Sequence, residues 1–281
     1  YKRQAVLGTT YDVRHKLFTR AEFTDFSTFQ FGYTDPSFAA NTPFPLQKRR
    51  FKEELISFLG RGTYTLKDRY VFTGTLRVDG SSKFIEGNKY GYFPSFAFAW
   101  QAKKENFLKN SYVVSNLKLR AGWGQVGNQG IQPYQTSSNY NNTIYGEDIA
   151  FFVSNIGNKD LTWETTSQTN LGVDFGFFKN RFTGSIDVYE KETKDLLQIL
   201  QIPESTGFSS LLVNGGSIEN RGLEFALSGV LIDNKKDFNV ELSGNIAFNR
   251  SKITNLENSP ASIIINGEQQ QRSFYFGDNI S

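Results

Sequence analysis

The stretch from Ile56 to Asp79 reads ISFLGRGTYTLKDRYVFTGTLRVD, and within it apolar or small residues alternate with polar ones. A period of two residues is typical of a β-strand with one apolar and one polar face. The alternation pauses only at Lys67 and Asp68. This stretch therefore predicts two long antiparallel strands joined by a tight turn.

The same alternation recurs along the rest of the chain, where the 3.6-residue period of a helix is almost absent. With the first two strands it predicts eight, in the ranges 56–67, 69–79, 92–101, 116–123, 168–177, 182–188, 223–231 and 238–249. Weaker alternation marks three more segments, at 2–12, 17–26 and 149–155. Many of these strands exceed the ~5–6 residues typical of globular proteins and approach the ~9–11 residues that cross a bilayer at a tilt.

The predicted connections alternate between short and long. Short ones lie at 67–68, 103–111, 179–181 and 233–237, and long ones at 80–89, 124–148, 191–217 and after residue 249. Outer-membrane barrels pair short periplasmic turns with long extracellular loops, whereas soluble β-meanders follow no such rule. Aromatic residues also gather beside the short turns, as in the interfacial girdle of a membrane barrel. The pattern favours a transmembrane, antiparallel β-barrel.

The composition excludes most enzyme chemistries. The 281 residues include no Cys and a single His, so they can build neither a Cys-ligated metal site nor a multi-histidine site. Three carboxylate pairs could be combined as acid and base on paper: Glu53 with Glu54, Asp174 with Asp187, or Glu190 with Glu192. Nothing in the sequence fixes their separation, and carboxylates are also the expected lining of a polar channel. We expect no enzymatic activity, no metal and no cofactor. Because 31 Lys and Arg are interspersed with 28 Asp and Glu, we expect no nucleic-acid binding either.

Several local strings, in order along the chain, resemble one family. They are LRVDGSSKF at 76–84, YGYFPS at 90–95, SNLKLRAG at 115–122, GNKDLTWETT at 157–166, NLGVDFGF at 170–177 and GSIENRGLE at 216–224. Together they resemble the SusC/RagA-like TonB-dependent outer-membrane transporters of the Bacteroidota. The similarity is dense from about residue 57 to residue 249 and weak on either side.

The resemblance implies a fold, a function and partners. Such proteins look like barrels of about 22 strands with a plug in the lumen, so we expect an all-β, antiparallel fragment of a transmembrane β-barrel. The implied function is TonB-dependent import of a large nutrient, an oligosaccharide or an oligopeptide, across the outer membrane of a Gram-negative bacterium. The implied partners are a SusD-like surface lipoprotein acting as a lid, the TonB complex through regions outside this sequence, the glycan or peptide substrate, and outer-membrane lipid. The competing interpretation is a soluble or surface-attached β-domain, such as an adhesin or a carbohydrate-binding module.

Three regions and one candidate site follow from these patterns. We expect weak leading strands and an extracellular loop in residues 1–52, transmembrane strands in 53–252, and a loop or the start of the next barrel segment in 253–281. The candidate site is the 124–148 connection, where three tyrosines lie among Gln and Asn, a composition suited to stacking on sugar rings or holding a peptide backbone. Ordinary loop packing is the alternative. The candidate substrate or lid contacts are Tyr134, Tyr140 and Tyr145.

Overall fold

The computed structural model describes residues 1–28, 36–41, 47–146, 148–233, 238–255, 262–265, 268–271 and 279–280. Its strands, in chain order, are β1 Lys2–Arg20, β2 Thr24–Phe26, β3 Ala39–Asn41, β4 Gln47–Leu66, β5 Tyr70–Ser81, β6 Tyr90–Trp100, β7 Val114–Asn128, β8 Asn139–Tyr145, β9 Asp148–Asn155, β10 Glu164–Phe177, β11 Phe182–Lys194, β12 Leu197–Gln201, β13 Ser210–Asn214, β14 Ser217–Asp233, β15 Asn239–Asn255, β16 Ser262–Ile265, β17 Glu268–Gln271 and β18 Asn279–Ile280. The helical segments of this part of the chain are the four-residue α1, Asn106–Lys109, and the 3₁₀ turns Pro36–Phe38, Ala102–Lys104 and Glu204–Thr206. No helix within the described ranges is long and apolar enough to cross a membrane.

Ten of these strands form one sheet in the order β1-β4-β5-β6-β7-β10-β11-β14-β15-β18. Every neighbouring pair is antiparallel. Since successive strands of the sheet run in opposite directions, the connections alternate between two ends. The tight turns 67–69 and 178–181 lie at one end with the 101–113 connection, and this end is here called the short-turn end. The connections 21–46, 82–89, 129–163 and 195–216 lie at the other, the long-loop end. The connection predicted as short at 103–111 extends over 101–113 and is longer than 82–89. The predicted all-β, antiparallel barrel segment is confirmed.

Several strands are longer than the alternation predicted. β1 is one strand of 19 residues where the pattern predicted two segments at 2–12 and 17–26, and it pairs with β4 over its whole length. β7 continues to residue 128 and β15 to residue 255, into stretches predicted as long connections. Alternation fades where both faces of a strand meet the same solvent, but the backbone hydrogen bonds of the ladder continue.

The two faces of the main sheet differ in character. On the face here called the apolar face, Phe72 lies opposite Phe98, Leu171 opposite Val188, and Phe225 between its partners on β11 and β15. Many of its side chains are exposed, among them Phe58, Phe72, Leu76, Phe96, Leu171, Leu227, Leu242 and Ile246. The reverse side, the polar face, carries the charged residues Arg61, Arg77, Lys118, Arg120, Asp174, Asp187, Glu224 and Glu241. So large an apolar surface requires a non-aqueous environment or a partner.

Candidate functional site at the long-loop end

The connection from β7 to β10, residues 129–163, contains a two-stranded ribbon formed by β8 and β9. The weak strand predicted at 149–155 corresponds to β9, whereas β8 lies where an unbroken loop was expected. The sequence of β8, NYNNTIY, is rich in Asn and has exposed side chains on both faces, so it lacks the clear alternation of the main sheet. The one local signal was Gly146, whose φ of +67° allows the tight turn between the two strands.

The structure does not bring the three candidate tyrosines together. Tyr140 and Tyr145 are both on β8, 68% and 82% exposed, but they are five residues apart, so their side chains leave opposite faces of the ribbon about 17 Å apart. Tyr134 precedes the ribbon and is half-exposed, with its ring centroid 6.5 Å from that of Phe51 on β4. The Tyr134 ring is therefore partly packed within the connection and partly exposed, while the Tyr140 and Tyr145 rings are mostly exposed.

The ribbon reaches across the sheet to β4. The Arg49 guanidinium donates a hydrogen bond to Asn141 Oδ1 on β8 at 3.4 Å, close to the contact between Tyr134 and Phe51. Because β5 and β6 lie between β4 and β7 in the sheet, the connection crosses the ends of both strands. This places its tyrosines above the wall of the barrel segment.

A small hydrophobic core, here called the loop core, holds these connections together. Its members come from strand ends and connections far apart in sequence: Phe84, Phe93, Ile131, Leu161 and Trp163, with Leu55, Leu197 and Leu212 packed against them. The Trp163 ring lies with its centroid 5.3 Å from that of Phe84 and 5.6 Å from that of Phe93, and its Nε1 donates to the Lys89 carbonyl at 3.2 Å. The loop core supplies most of the buried apolar side chains in the described residues.

Asparagine side chains form hydrogen bonds between the same connections. Asn214 on β13 accepts a hydrogen bond from the Thr162 amide at 2.8 Å and donates to the Thr162 carbonyl at 3.0 Å. Asn158 donates to the Leu212 carbonyl at 2.9 Å. These bonds satisfy backbone groups in irregular segments and fix the β12–β13 ribbon to the β7–β10 connection.

Gly127 belongs to a GWGQVG string that also fits a dinucleotide-binding pattern. Here it lies in β7, and a Cβ added to it would clash with the Phe93 ring of the loop core. The close approach of the Phe93 ring therefore accounts for glycine at position 127. A dinucleotide-binding site would also require a helix directly after the strand, whereas β7 is followed by a loop and the ribbon.

Asp174 and Asp187 lie together on the polar face, bridged by Arg120. The Arg120 guanidinium donates to Asp174 through Nε at 2.9 Å and Nη2 at 2.8 Å, and Nη2 also lies 2.9 Å from Asp187 Oδ1. The Lys118 ammonium is 3.4 Å from Asp174. Gly172 opens the space for this group, since a Cβ there would collide with both Arg120 and Asp187. Both carboxylates are ion-paired with the same guanidinium, an arrangement suited to the polar lining of a barrel wall and not to an acid–base pair.

Comparisons with known proteins agree with this architecture. A family model described as "TonB dependent receptor-like, beta-barrel" matches residues 1–273. The chain is 43% identical over 215 residues to the TonB-dependent receptor SusC of Bacteroides thetaiotaomicron. The matched region covers 73% of this chain and 21% of that protein. It is 40% identical over 207 residues to the TonB-dependent receptor P3 of Formosa agariphila, covering 72% of this chain and 21% of that protein.

Solved structures give the same result. A chain of the RagAB peptide transporter superposes with a TM-score of 0.83 at 28% identity, covering 94% of this chain and 29% of that one. The RagAB peptide importer in its "open-open" state gives a TM-score of 0.81 over 99% of this chain. This sequence thus spans about a fifth of the length of the curated relatives that it matches.

Proposed function

Because this chain belongs to the TonB-dependent receptor β-barrels, and among them to the SusC/RagA type, we propose that it supplies part of the wall and extracellular loops of a transporter. The transporter imports a large nutrient, an oligosaccharide or an oligopeptide, across the outer membrane of a Gram-negative bacterium. The observation that carries this proposal is the ten-stranded antiparallel sheet with an exposed apolar face and a charged polar face. Energy comes from TonB, and a SusD-like lipoprotein covers the long-loop end.

Two other interpretations lack this support. A soluble or surface-attached β-domain would expose the apolar face to water, which is costly over so many large side chains. The relatives reported above are named as receptors or transporters, not as enzymes. The ion-paired carboxylates on the polar face also offer no free general acid.

The regions of the chain then have distinct roles. In this proposal the wall extends from β1 to β15, so residues 1–52 contribute the first wall strand, an extracellular connection and the start of β4. Residues 53–252 hold the remaining wall strands with their alternating connections, and residues 253–281 lead into the next barrel segment.

Import is tested with the full-length transporter in its native host. Deleting its gene should abolish accumulation of one labelled class, oligosaccharide or oligopeptide, and leave the other unchanged. A protonophore should reduce accumulation in the parent strain to the level of the deletion strain. If the deletion strain accumulates both classes normally, the proposed function is wrong.

The orientation gives a second expected result, and the absence of Cys makes it easy to measure. Single cysteines at Asp68 and Asn180, in the short turns, should be protected from an impermeant thiol reagent on intact cells. Cysteines at Asn142 on β8 and at Ser209 beside β13 should react, because these residues lie in the connections of the long-loop end. Labelling of all four positions, or the reversed pattern, contradicts the orientation.

The tyrosines of the ribbon are proposed to contact substrate or the lid. The double variant Tyr140→Ala/Tyr145→Ala should weaken uptake about tenfold, because it removes two rigid exposed rings worth roughly 1 kcal/mol or more together. Tyr134→Ala should act in the same direction by releasing the contact with Phe51. The measurement is concentration-dependent uptake together with the amount of barrel in the outer membrane.

Tyr92→Ala is the matched control for these variants, since Tyr92 is an exposed tyrosine on the apolar face of β6 and is not part of the ribbon. Its uptake should remain normal. If uptake is normal in the tyrosine variants as well, these tyrosines do not contact substrate or the lid, and ordinary loop packing is the correct interpretation.

A further inference from the structure

The short-turn end carries an excess of positive charge. Connections 67–69, 101–113 and 178–181 contain seven Lys or Arg and two carboxylates, a net +5, whereas the whole chain is only +3. The rest of the chain is therefore net −2. The long connections have the opposite sign, since residues 21–46, 82–89, 129–163 and 195–216 contain three Lys and nine Asp or Glu. The two ends of the barrel segment thus carry net charges of opposite sign.

Both carboxylates of these three connections are already neutralised. Asp68 lies 3.4 Å from the Lys2 ammonium, and Glu105 accepts a charged hydrogen bond from Arg69 at 2.7 Å. The other six cations have no carboxylate within salt-bridge distance in the described part of the chain: Lys67, Lys103, Lys104, Lys109, Lys179 and Arg181. Their charge is available to an external anion.

Two of these lysines are fixed by backbone carbonyls. The Lys103 ammonium donates to Leu108 at 3.0 Å and to Ser111 at 2.9 Å, and the Lys104 ammonium donates to Asp68 at 2.8 Å. A lysine held in this way keeps its charge in place without neutralising it. The β6–β7 connection therefore presents ordered cations.

This connection lies directly at the border of the apolar face. Glu105 accepts hydrogen bonds from Tyr70 Oη at 2.6 Å and from Trp100 Nε1 at 3.1 Å, and the rings of both residues belong to the apolar face. These bonds, with that from Tyr70 the strongest, hold the pKa of Glu105 below its ordinary value and keep it charged. Tyrosine and tryptophan side chains whose polar atoms bind one group at the edge of an apolar surface are typical of a membrane–water interface.

Exposed rings stand among the cations at the same level. Phe107 and Tyr112 are 72% and 77% exposed, and the Lys179 ammonium lies 5.6 Å from the centre of the Tyr112 ring. Phe178 is also exposed and packs against Phe182 of the apolar face. Apolar rings beside unpaired ammonium groups suit a surface that is part acyl chain and part phosphate.

We infer that this group, the basic rim of Lys103, Lys104, Lys109 and Lys179 with Phe107 and Tyr112, binds the headgroup of an anionic phospholipid. The lipid belongs to the leaflet around the short-turn end, and the inference rests on the membrane orientation given under the proposed function. The unpaired ammonium groups match the phosphate, and the rim continues into the face that acyl chains cover. That continuity favours a lipid over an acidic protein as the occupant.

The experiment uses the full-length transporter in nanodiscs that contain equal amounts of phosphatidylglycerol and phosphatidylcholine. Lipids retained by the protein are counted by mass spectrometry after gentle detergent extraction. The variant K109Q/K179Q removes two rim charges that make no backbone contact in the described residues. It should lower the preference for phosphatidylglycerol about tenfold. The preference of the unmodified protein should also fall at high salt.

The matched control is K48Q/K159Q, which removes two charges at the long-loop end. Its lipid preference should be unchanged. An equal loss in both variants, or no loss in either, overturns the inference. Because lipid counting needs only a folded barrel, its outcome is independent of whether the protein imports the proposed nutrients.

Discussion

Replacing Leu171 with arginine is expected to destabilise the folded barrel by about 2–4 kcal/mol, the cost of a charged side chain near the bilayer midplane. Leu171 lies midway along β10 on the apolar face, 58% exposed, with Ala121 and Val188 as its cross-strand neighbours. Phe225→Arg, at the middle of β14, should have a similar effect. The measurement is the free energy of unfolding of the full-length protein in lipid vesicles.

Serines on the other face, three residues from Leu171 and Phe225 in the strand register, provide the control. Ser185 on β11 lies opposite Asp174, and Ser243 on β15 belongs to the same polar face. Arginine at either position meets water and nearby carboxylates, so its cost should be close to zero. If arginine destabilises both faces equally, the apolar face does not contact lipid.

Replacing Trp163 with alanine should have an effect of comparable size, confined to the long-loop end. Trp163 is 6% exposed, packs against Phe84 and Phe93, and satisfies the Lys89 carbonyl. Truncating a buried aromatic residue typically costs about 3–5 kcal/mol through lost burial and the cavity left behind. Because Trp163 and the other loop-core residues, apart from Phe93 on β6 and the flanking Leu55 on β4, lie outside the ladder of the main sheet, the cost should appear as local opening of the connections.

Hydrogen exchange resolves that local effect. In Trp163→Ala, amides of residues 129–163 and 195–216 should exchange much faster, while those in β5, β10 and β11 remain protected. Trp123→Ala is the matched control, since Trp123 stacks on Phe96 on the apolar face with centroids 6.1 Å apart. It should leave the exchange of the connections unchanged. Unaltered exchange in Trp163→Ala would show that the loop core does not hold these segments.

The strands of the main sheet could be predicted from the sequence because the two faces of the sheet differ in polarity. Leu171 and Phe225 on one face, with Asp174 and Asp187 on the other, produce the period of two residues that predicts both strand and orientation. The register adds what the period lacks, namely that Arg120 lies between the two carboxylates.

The structure of the long-loop end was harder to predict from the sequence, for two physical reasons. The β8 strand is wet on both faces, so nothing in its sequence alternates. The loop core joins Phe84, Ile131 and Leu161, which are separated by 30 or more residues and share no local pattern. Contacts of this kind depend on where the sheet places the ends of its strands, and composition alone also gave no reason to separate Tyr134 from the two ribbon tyrosines.

The long ladder between β1 and β4 sets the height of the wall. Nineteen paired residues extend for roughly 60 Å, and at a tilt of about 45° they rise roughly 45 Å along the membrane normal, about 15 Å more than the hydrocarbon thickness. In the proposed orientation, with the short turns at the periplasmic end, this surplus extends beyond the outer surface of the membrane. Under the proposed function, a nutrient would therefore enter a protein-lined vestibule before it reaches the depth of the lipid headgroups.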